Sequence, residues 1–325
     1  MDKDNCELSR YVLPAADGIA KPVIELWRDC FGEEEVSGIR AQFMGEETDA
    51  DEDILYVLSC NGRMASCCHV TRKKDTGMAG MGGVATVSEF RGRGFSRKVC
   101  SFALQDFDES GGEVIWLGTS NPAAANLYHS LGFSFLPGTQ VMRRLRKGLT
   151  DTCFLDGFFK GNSARVRNGS VACRIPMIPL VTSRLGFAVM DCVAGFCGSE
   201  NVVECSCMGI YPAYESIRAA NGNWHYIDSG FGRIGGLGSW RPLEDGTVMV
   251  DGFWHSNYRE QALDLMSTLI EEAKTAGRRV IIPVADVDGA KAELAEQLGA
   301  IRGPERLWQP RSGLLVPMHD FIAAV

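Results

Sequence analysis

No apolar run in this 325-residue chain approaches the roughly 20 residues that a membrane-spanning helix needs. The opening Met1-Asp2-Lys3-Asp4-Asn5-Cys6-Glu7 lacks the basic and apolar parts of a signal peptide, and with no span to follow it the expected compartment is the cytoplasm. Surplus positive charge is missing too. The 33 lysines and arginines against 41 aspartates and glutamates leave a net charge of −8, which argues against a nucleic-acid surface. Twelve cysteines are present, but no paired Cys-x-x-Cys sets at zinc spacing, so no metal is expected. Cys67-Cys68 and Cys205-x-Cys207 fall in apolar strand patterns, and the cysteines read as reduced, buried small hydrophobes. A Gly-x-x-x-x-Gly-Lys-Ser/Thr phosphate loop is absent. The pattern Gly92-x-Gly94 starts a dinucleotide fingerprint, but Arg97 stands where the third glycine belongs.

What is present is ordinary globular composition, 45% hydrophobic and 23% charged, with length for two domains of about 150 residues. The run Gly82-Gly83-Val84-Ala85-Thr86-Val87-Ser88-Glu89-Phe90-Arg91-Gly92-Arg93-Gly94-Phe95-Ser96 reads as a strand, a tight basic glycine turn and a helix start. The helix is expected from Ser96 to about Ser110, with Val99, Phe102, Ala103 and Phe107 on the face that packs on a sheet. Unpaired amides and the positive dipole end at a helix start make an anion cradle. The basic cluster Arg91, Arg93, Arg97 and Lys98 supports one against the acidic background.

A second segment follows about 30 residues on. A strand over Glu113–Gly118 leads to Asn121-Pro122, a plausible cap and first helical residue. The helix then closes at Gly132, before Phe133. Arg91-x-x-Gly94-x-Ser96 and Asn121-x-x-Ala124-x-x-x-Tyr128, followed by Gly132-Phe133, together resemble the Gcn5-related N-acetyltransferase superfamily over roughly residues 8–147. One position departs from the family pattern: Ser96 stands where it has glycine or alanine, and serine is small enough to keep the backbone approachable.

The resemblance implies acetyl-CoA as co-substrate and assigns roles. Backbone groups of Val84, Ala85 and Thr86 would pair with the pantetheine arm as an added strand. The backbone of Arg91, Gly92, Arg93, Gly94, Phe95 and Ser96 would hold the pyrophosphate, and Asn121 would contact the cofactor near the thioester. Tyr128 would be the general acid that protonates the departing thiolate. The general base stays open. Glu113 and His69 are the catalytic candidates, and Glu89 and His129 are weaker ones.

Along the chain, a strand over 8–14 and a helix over Ile19–Phe31 precede a second helix over about Glu35–Phe43. A hairpin of Asp53–Ser59 and Arg63–Thr71 turns at Asn61-Gly62. The acidic run Glu46 to Asp53 reads as a solvated loop. A strand at Val141–Leu145 and the basic stretch ending at Lys147 close a first domain, residues 1–147, expected to bind acyl-CoA and catalyse. In residues 148–325, a strand at Thr247–Trp254, a helix at Arg259–Ala276, a strand at Arg279–Val284 and a helix at Asp286–Leu298 repeat the order of 81–134. This half reads as a degenerate second copy that shapes the acceptor pocket. His255 to Glu260 replaces the glycine turn, and no tyrosine matches Tyr128. Trp224, His225, Tyr226, Trp240, Trp254 and His255 read as packing, and Gly230 to Gly238 as a loop or bulged strand pair.

The expected fold is therefore α/β, two tandem domains of this type, each a mixed, mostly antiparallel sheet flanked by helices. The expected activity is acyl transfer from acetyl-CoA to a small-molecule amine, in a monomer or homodimer with no nucleic-acid or membrane partner. Other thioester chemistry, transfer to oxygen or sulfur or decarboxylation, and a non-catalytic acyl-CoA sensor are the alternatives.

Overall fold

The dipeptide Asn61-Gly62 holds positive φ at both residues, 52° and 74°, as a type I′ hairpin turn requires. The computed structural model describes residues 5–33, 36, 39–161, 164–198, 209–277, 279–309 and 315–323. Strand β1 (Cys6–Val12) leads through helices α1 (Asp17–Phe31) and α2 (Arg40–Met44) to the hairpin of β2 (Asp51–Cys60) and β3 (Arg63–Lys73). Then come β4 (Met78–Thr86), α3 (Phe95–Glu109), β5 (Val114–Gly118), α4 (Pro122–Ser130), β6 (Ser134–Phe135) and β7 (Val141–Leu145). The sheet order is β1-β2-β3-β4-β5-β7-β6. Every neighbouring pair is antiparallel except β4 and β5, which run parallel across the α3 crossover. The second helix predicted from sequence begins at residues outside those described and appears as the shorter α2.

Strand alternation divides the core between two faces. On one, α3 and α4 bury Val99, Cys100, Ala103, Phe107 and Tyr128 against Tyr56, Cys68, Val70 and Met81. On the other, Val23, Leu26 and Trp27 of α1 and Phe43 of α2 cover Leu55, Val57, Cys67 and Ala85.

Two expectations are corrected here. Part of the acidic run is not a solvated loop, because Asp51–Asp53 open β2 with Asp51 and Asp53 buried. Hydrogen bonds replace the lost water at Asp53. Its Oδ1 accepts from Thr71 Oγ1 at 2.6 Å and Gln42 Nε2 at 3.0 Å, and pairs with His69 Nε2 at 2.9 Å. Nor are all cysteines reduced. Cys6 and Cys60 stand opposite each other in the β1–β2 register and form a disulfide. Cys67, Cys68, Cys100 and Cys192 are free and buried; Cys173 and Cys197 are buried too, while Cys153 is exposed. Cys205 and Cys207 lie outside the described residues.

The chain groups into two compact units. One runs to Phe135 and resumes over Val141–Thr150; the other holds Leu136–Gln140 and the described chain from Asp151. The second unit contains α5 (Asp151–Phe158), β8 (Arg165–Asn168), α6 (Met177–Val181), the small pair β9 (Val189–Asp191) and β10 (Phe196–Cys197), and α7 (Ile210–Ala219). After these come β11 (Asn223–Gly230), β12 (Arg233–Pro242), β13 (Thr247–Trp254), α8 (Arg259–Ala276), β14 (Arg279–Ala285), α9 (Gly289–Gln297), β15 (Ile301–Trp308) and β16 (Val316–Ala323). Its main sheet, β8-β11-β12-β13-β14-β16-β15, repeats the order of the first. Here too one pair is parallel, β13 with β14, across a helix.

The glycine-rich stretch is a bulged pairing of β11 with β12, in which a Cβ at Gly235 would meet the Tyr258 ring at 2.4 Å. Trp224 and Trp254 are core residues. His225 and Trp240 both bond Glu272, at 2.8 and 2.9 Å. Among the described residues, no helix is long and apolar enough to cross a membrane.

Candidate active site

Strands β4 and β5 pair over a short ladder only: Met78 with Val114, Ala79 with Ile115 and Gly80 with Trp116. Beyond it, among the described residues, the β4 edge from Met81 to Thr86 has no strand neighbour on the β5 side. The opposite edge of β4 is irregular. Gly82 pairs with His69 and Ala85 with Cys67, so Gly83 and Val84 together face Cys68 alone. That is a β-bulge. Gly83 adopts φ 57°, and its carbonyl oxygen accepts from Trp27 Nε1 at 2.7 Å.

Past Thr86 a short 3₁₀ turn, Ser88–Phe90, leads into the glycine turn. Gly92 and Gly94 both hold φ 75°, and no atom lies within 4 Å of where their Cβ would be. Left-handed backbone and open space are what glycine permits at these two positions. Gly94 caps α3 with no side-chain bond, and Lys98 is the first residue whose amide bonds back into the helix, to Gly94 O at 3.2 Å. The amides of Phe95, Ser96 and Arg97 therefore have no helical acceptor. Arg93 lies over the Phe90 ring at 5.5 Å, and Lys98 over Phe95 at 5.3 Å.

Ser96, the departure from the family pattern, has a structural use. Its hydroxyl bonds Thr86 Oγ1 at 2.8 Å, and Thr86 bonds Ser66 Oγ at 2.8 Å, so the end of β4 is tied to the start of α3. The Arg91 Nε donates to Thr86 O at 3.1 Å and braces the same turn.

Asn121 caps α4 as its sequence suggests, with Oδ1 accepting from the amides of Ala123 at 2.9 Å and Ala124 at 3.3 Å. Its Nδ2 is not used in the cap. Tyr128, about two turns further along α4, is 7% exposed and packs edge-on against Phe133 with 6.0 Å between ring centres. Burial, helped by Cys100 and Cys68, pushes its phenol far up, so it stays protonated at neutral pH. Burial also pushes the Cys67 thiol up to about 12 and Cys68 well above the ordinary thiol range. Neither is a thiolate at neutral pH, which disfavours an acyl-cysteine step.

The base candidates separate. Glu113 precedes β5 at the closed end of the β4–β5 ladder, where its amide bonds Gly77 O and its carboxylate meets Arg146 at 3.2 Å. The structure does not bring it to the Tyr128 end. Glu89 pairs with Arg63 at the surface, and His129 Nδ1 bonds Phe133 O. His69 stands beside the bulge, buried with Asp53 on the face covered by α1 and α2, its ring 6.0 Å from Trp27 and 6.4 Å from Phe43. Trp27, Asp53, Gln42 and Thr71 were not singled out from sequence. The alternation of Asp51 and Asp53 just before an apolar strand was the available signal.

Residues 20–133 match the model of the acetyltransferase (GNAT) family. No curated protein matches the chain. Among solved structures it is similar to one described as an acetyltransferase from Acinetobacter baylyi ADP1, at 18% identity over 50% of this chain and 93% of that one, TM-score 0.39. It is also similar to yncA from Salmonella typhimurium, described as an acetyltransferase with its cofactor acetyl-CoA (16% identity, 50% and 93% covered, TM-score 0.38). A third is a ribosomal-protein-alanine N-acetyltransferase from Brucella melitensis (15% identity, 49% and 99% covered, TM-score 0.37).

Proposed function

Residues 20–133 are a domain of the GNAT acetyltransferase family, and from that premise we propose that the chain moves the acetyl group of acetyl-CoA onto the amine of a small molecule. The observation that carries this reading is the free, bulged edge of β4, with a glycine cradle beyond one end and a protonated Tyr128 in the adjoining core. Bound there, acetyl-CoA supplies a thioester activated toward attack.

The residues of the chain divide the remaining work. Amides at the Gly92–Arg97 turn and helix start suit a pyrophosphate. Backbone groups of Val84 and Ala85 offer strand-like pairing, while the Thr86 carbonyl already accepts from Arg91. The Asn121 amide nitrogen, left over from capping, is a further donor. The Tyr128 hydroxyl keeps its proton until a leaving sulfur takes it.

His69 is the better-placed base. Its Nε2 is engaged by Asp53, which leaves Nδ1 as the nitrogen to receive a proton from the amine, directly or through one water. The net charge of −8 favours a cationic or neutral acceptor over an anionic one.

Calorimetric titration with acetyl-CoA, followed by assay of free thiol across a panel of small amines, tests the proposal. Binding is expected, with thiol released only when an amine is present and an N-acetyl product formed. Failure to bind, or thiol release without N-acetyl product, overturns it.

A further inference from the structure

The parallel pair in the second unit also separates early. Strand β13 pairs with β14 only at Thr247–Arg279, Val248–Val280 and Met249–Ile281. The same opening therefore exists beyond Met249, yet every residue of β13 is buried, whereas Gly82, Gly83, Val84 and Thr86 of β4 are only half-buried. Residues 187–192 of the same unit cover it. We infer that the second unit has filled its own acyl-carrier slot with this segment and is closed to acyl-CoA.

Contacts along its whole length hold the segment. At the mouth, Phe187 packs edge-on against Trp254 at 5.1 Å. Next, the amides of Ala188 and Val189 donate to the two oxygens of Asp288, at 2.6 and 3.0 Å. Asp288 precedes α9 as Asn121 precedes α4, so the acid at the matching place binds a peptide. Lys291, three residues on, matches Ala124. It is 3% exposed and donates to Met190 O at 2.8 Å and Asp251 Oδ1 at 2.6 Å. Towards the closed end, the Cys192 amide donates to Asp251 Oδ2 at 2.8 Å. Asp191 in turn accepts from Ser239 Oγ at 2.7 Å and Tyr214 OH at 3.1 Å.

The rest of the slot is altered consistently. The β12–β13 ladder runs without a register shift, so β13 has no bulge. The 3₁₀ turn Ser256–Tyr258 passes directly into α8 at Arg259, so residues 91–94 have no counterpart. Ala295 occupies the place of Tyr128, seven residues after the cap. A cavity remains at the mouth, lined by Phe187, Trp254, Ser256, Arg259 and Asp288.

This inference does not depend on the activity proposed for the first unit. Hydrogen exchange on the whole chain decides it, with and without saturating acetyl-CoA. The amides of Ala188, Val189 and Cys192 are expected to exchange slowly in both conditions, and Asp288→Ala to speed the first two selectively. Fast exchange at all three in the free chain overturns the inference, as does their deprotection by acetyl-CoA. Calorimetry gives a second reading. One equivalent or fewer per chain is expected, while a second equivalent that disappears in Arg259→Ala overturns it. If no acetyl-CoA binds at all, the proposed activity fails, and the exchange data on the free chain still decide whether the slot is filled.

Discussion

The Trp27 indole and the Gly83 backbone fit each other with no space for a side chain. Nε1 donates to Gly83 O at 2.7 Å, and a Cβ on Gly83 would lie 2.2 Å from Trp27 Cζ2. Helix α1 thereby fixes the point where β4 bulges. Gly83→Ala meets both a clash and a left-handed backbone, so it is expected to cost on the order of 2–4 kcal/mol. Urea unfolding measures the loss. Adding Trp27→Leu should return part of it, and strictly additive losses would contradict the contact.

Tyr128→Phe removes one oxygen and leaves the ring on Phe133. The expected outcome is a fall in kcat of roughly 10²- to 10⁴-fold, with acetyl-CoA binding within a few-fold and little change in the unfolding midpoint. Steady-state kinetics with the best amine of the panel checks it. Unchanged turnover would remove Tyr128 from the reaction.

Gly94→Val puts a branched side chain where the structure leaves open space and a left-handed backbone. Affinity for acetyl-CoA should drop by about tenfold or more, while affinity for acetyl-pantetheine, which has no pyrophosphate, should change far less. Equal losses for the two ligands would show that the turn does not hold the pyrophosphate.

The motif residues were legible because each answers a local demand of the backbone. Gly92 and Gly94 supply positive φ, and Asn121 and Pro122 begin a helix. The fold class followed from the same signals, with Asn61-Gly62 setting the hairpin. The Cys6–Cys60 disulfide, the burial of Asp53 and the course of residues 187–192 were not legible. All three depend on partners far away in sequence: Cys6 meets Cys60, Asp53 meets His69, and Asp288 meets Ala188. Lys291 shows the limit well. On its own helix it reads as a solvated charge, and only a segment about a hundred residues earlier turns it into a buried donor.

His69→Gln and Glu113→Gln should part company in kcat/KM. The first is expected to lower it by about tenfold or more. The second, at the closed end of the ladder, should leave it within about twofold. A loss confined to Glu113→Gln would reverse the assignment.

Burial pushes the Asp251 carboxyl up to about 6, against the pull of Lys291. Its folded value lies above the free value of 3.8, so between the two the folded chain keeps a proton that the unfolded chain has released. The stability this group contributes is complete below about pH 4 and is lost as pH rises through about 6. Asp251→Asn should flatten that part of the curve of unfolding free energy against pH. Lys291→Met should cost about 3–5 kcal/mol at pH 7, because a buried carboxylate loses its partner, and should steepen the fall. Denaturant titrations from pH 4 to 8 measure both.

Strand β4 changes parity at Gly83. Before it, the odd-numbered Ala79 and Met81 point to the α3 side; after it, the odd-numbered Ala85 points to the α1 side and the even-numbered Val84 to the α3 side. One extra residue has inverted the inward and outward reading of everything downstream. Strand β13 keeps a single parity along its whole ladder with β12. The contrast between a half that offers an edge and a half that has sealed one is thus written partly in counting. Deleting Gly83 would bring Ala85 and Thr86 back into step with Met81, giving the first strand the uninterrupted rhythm of the second.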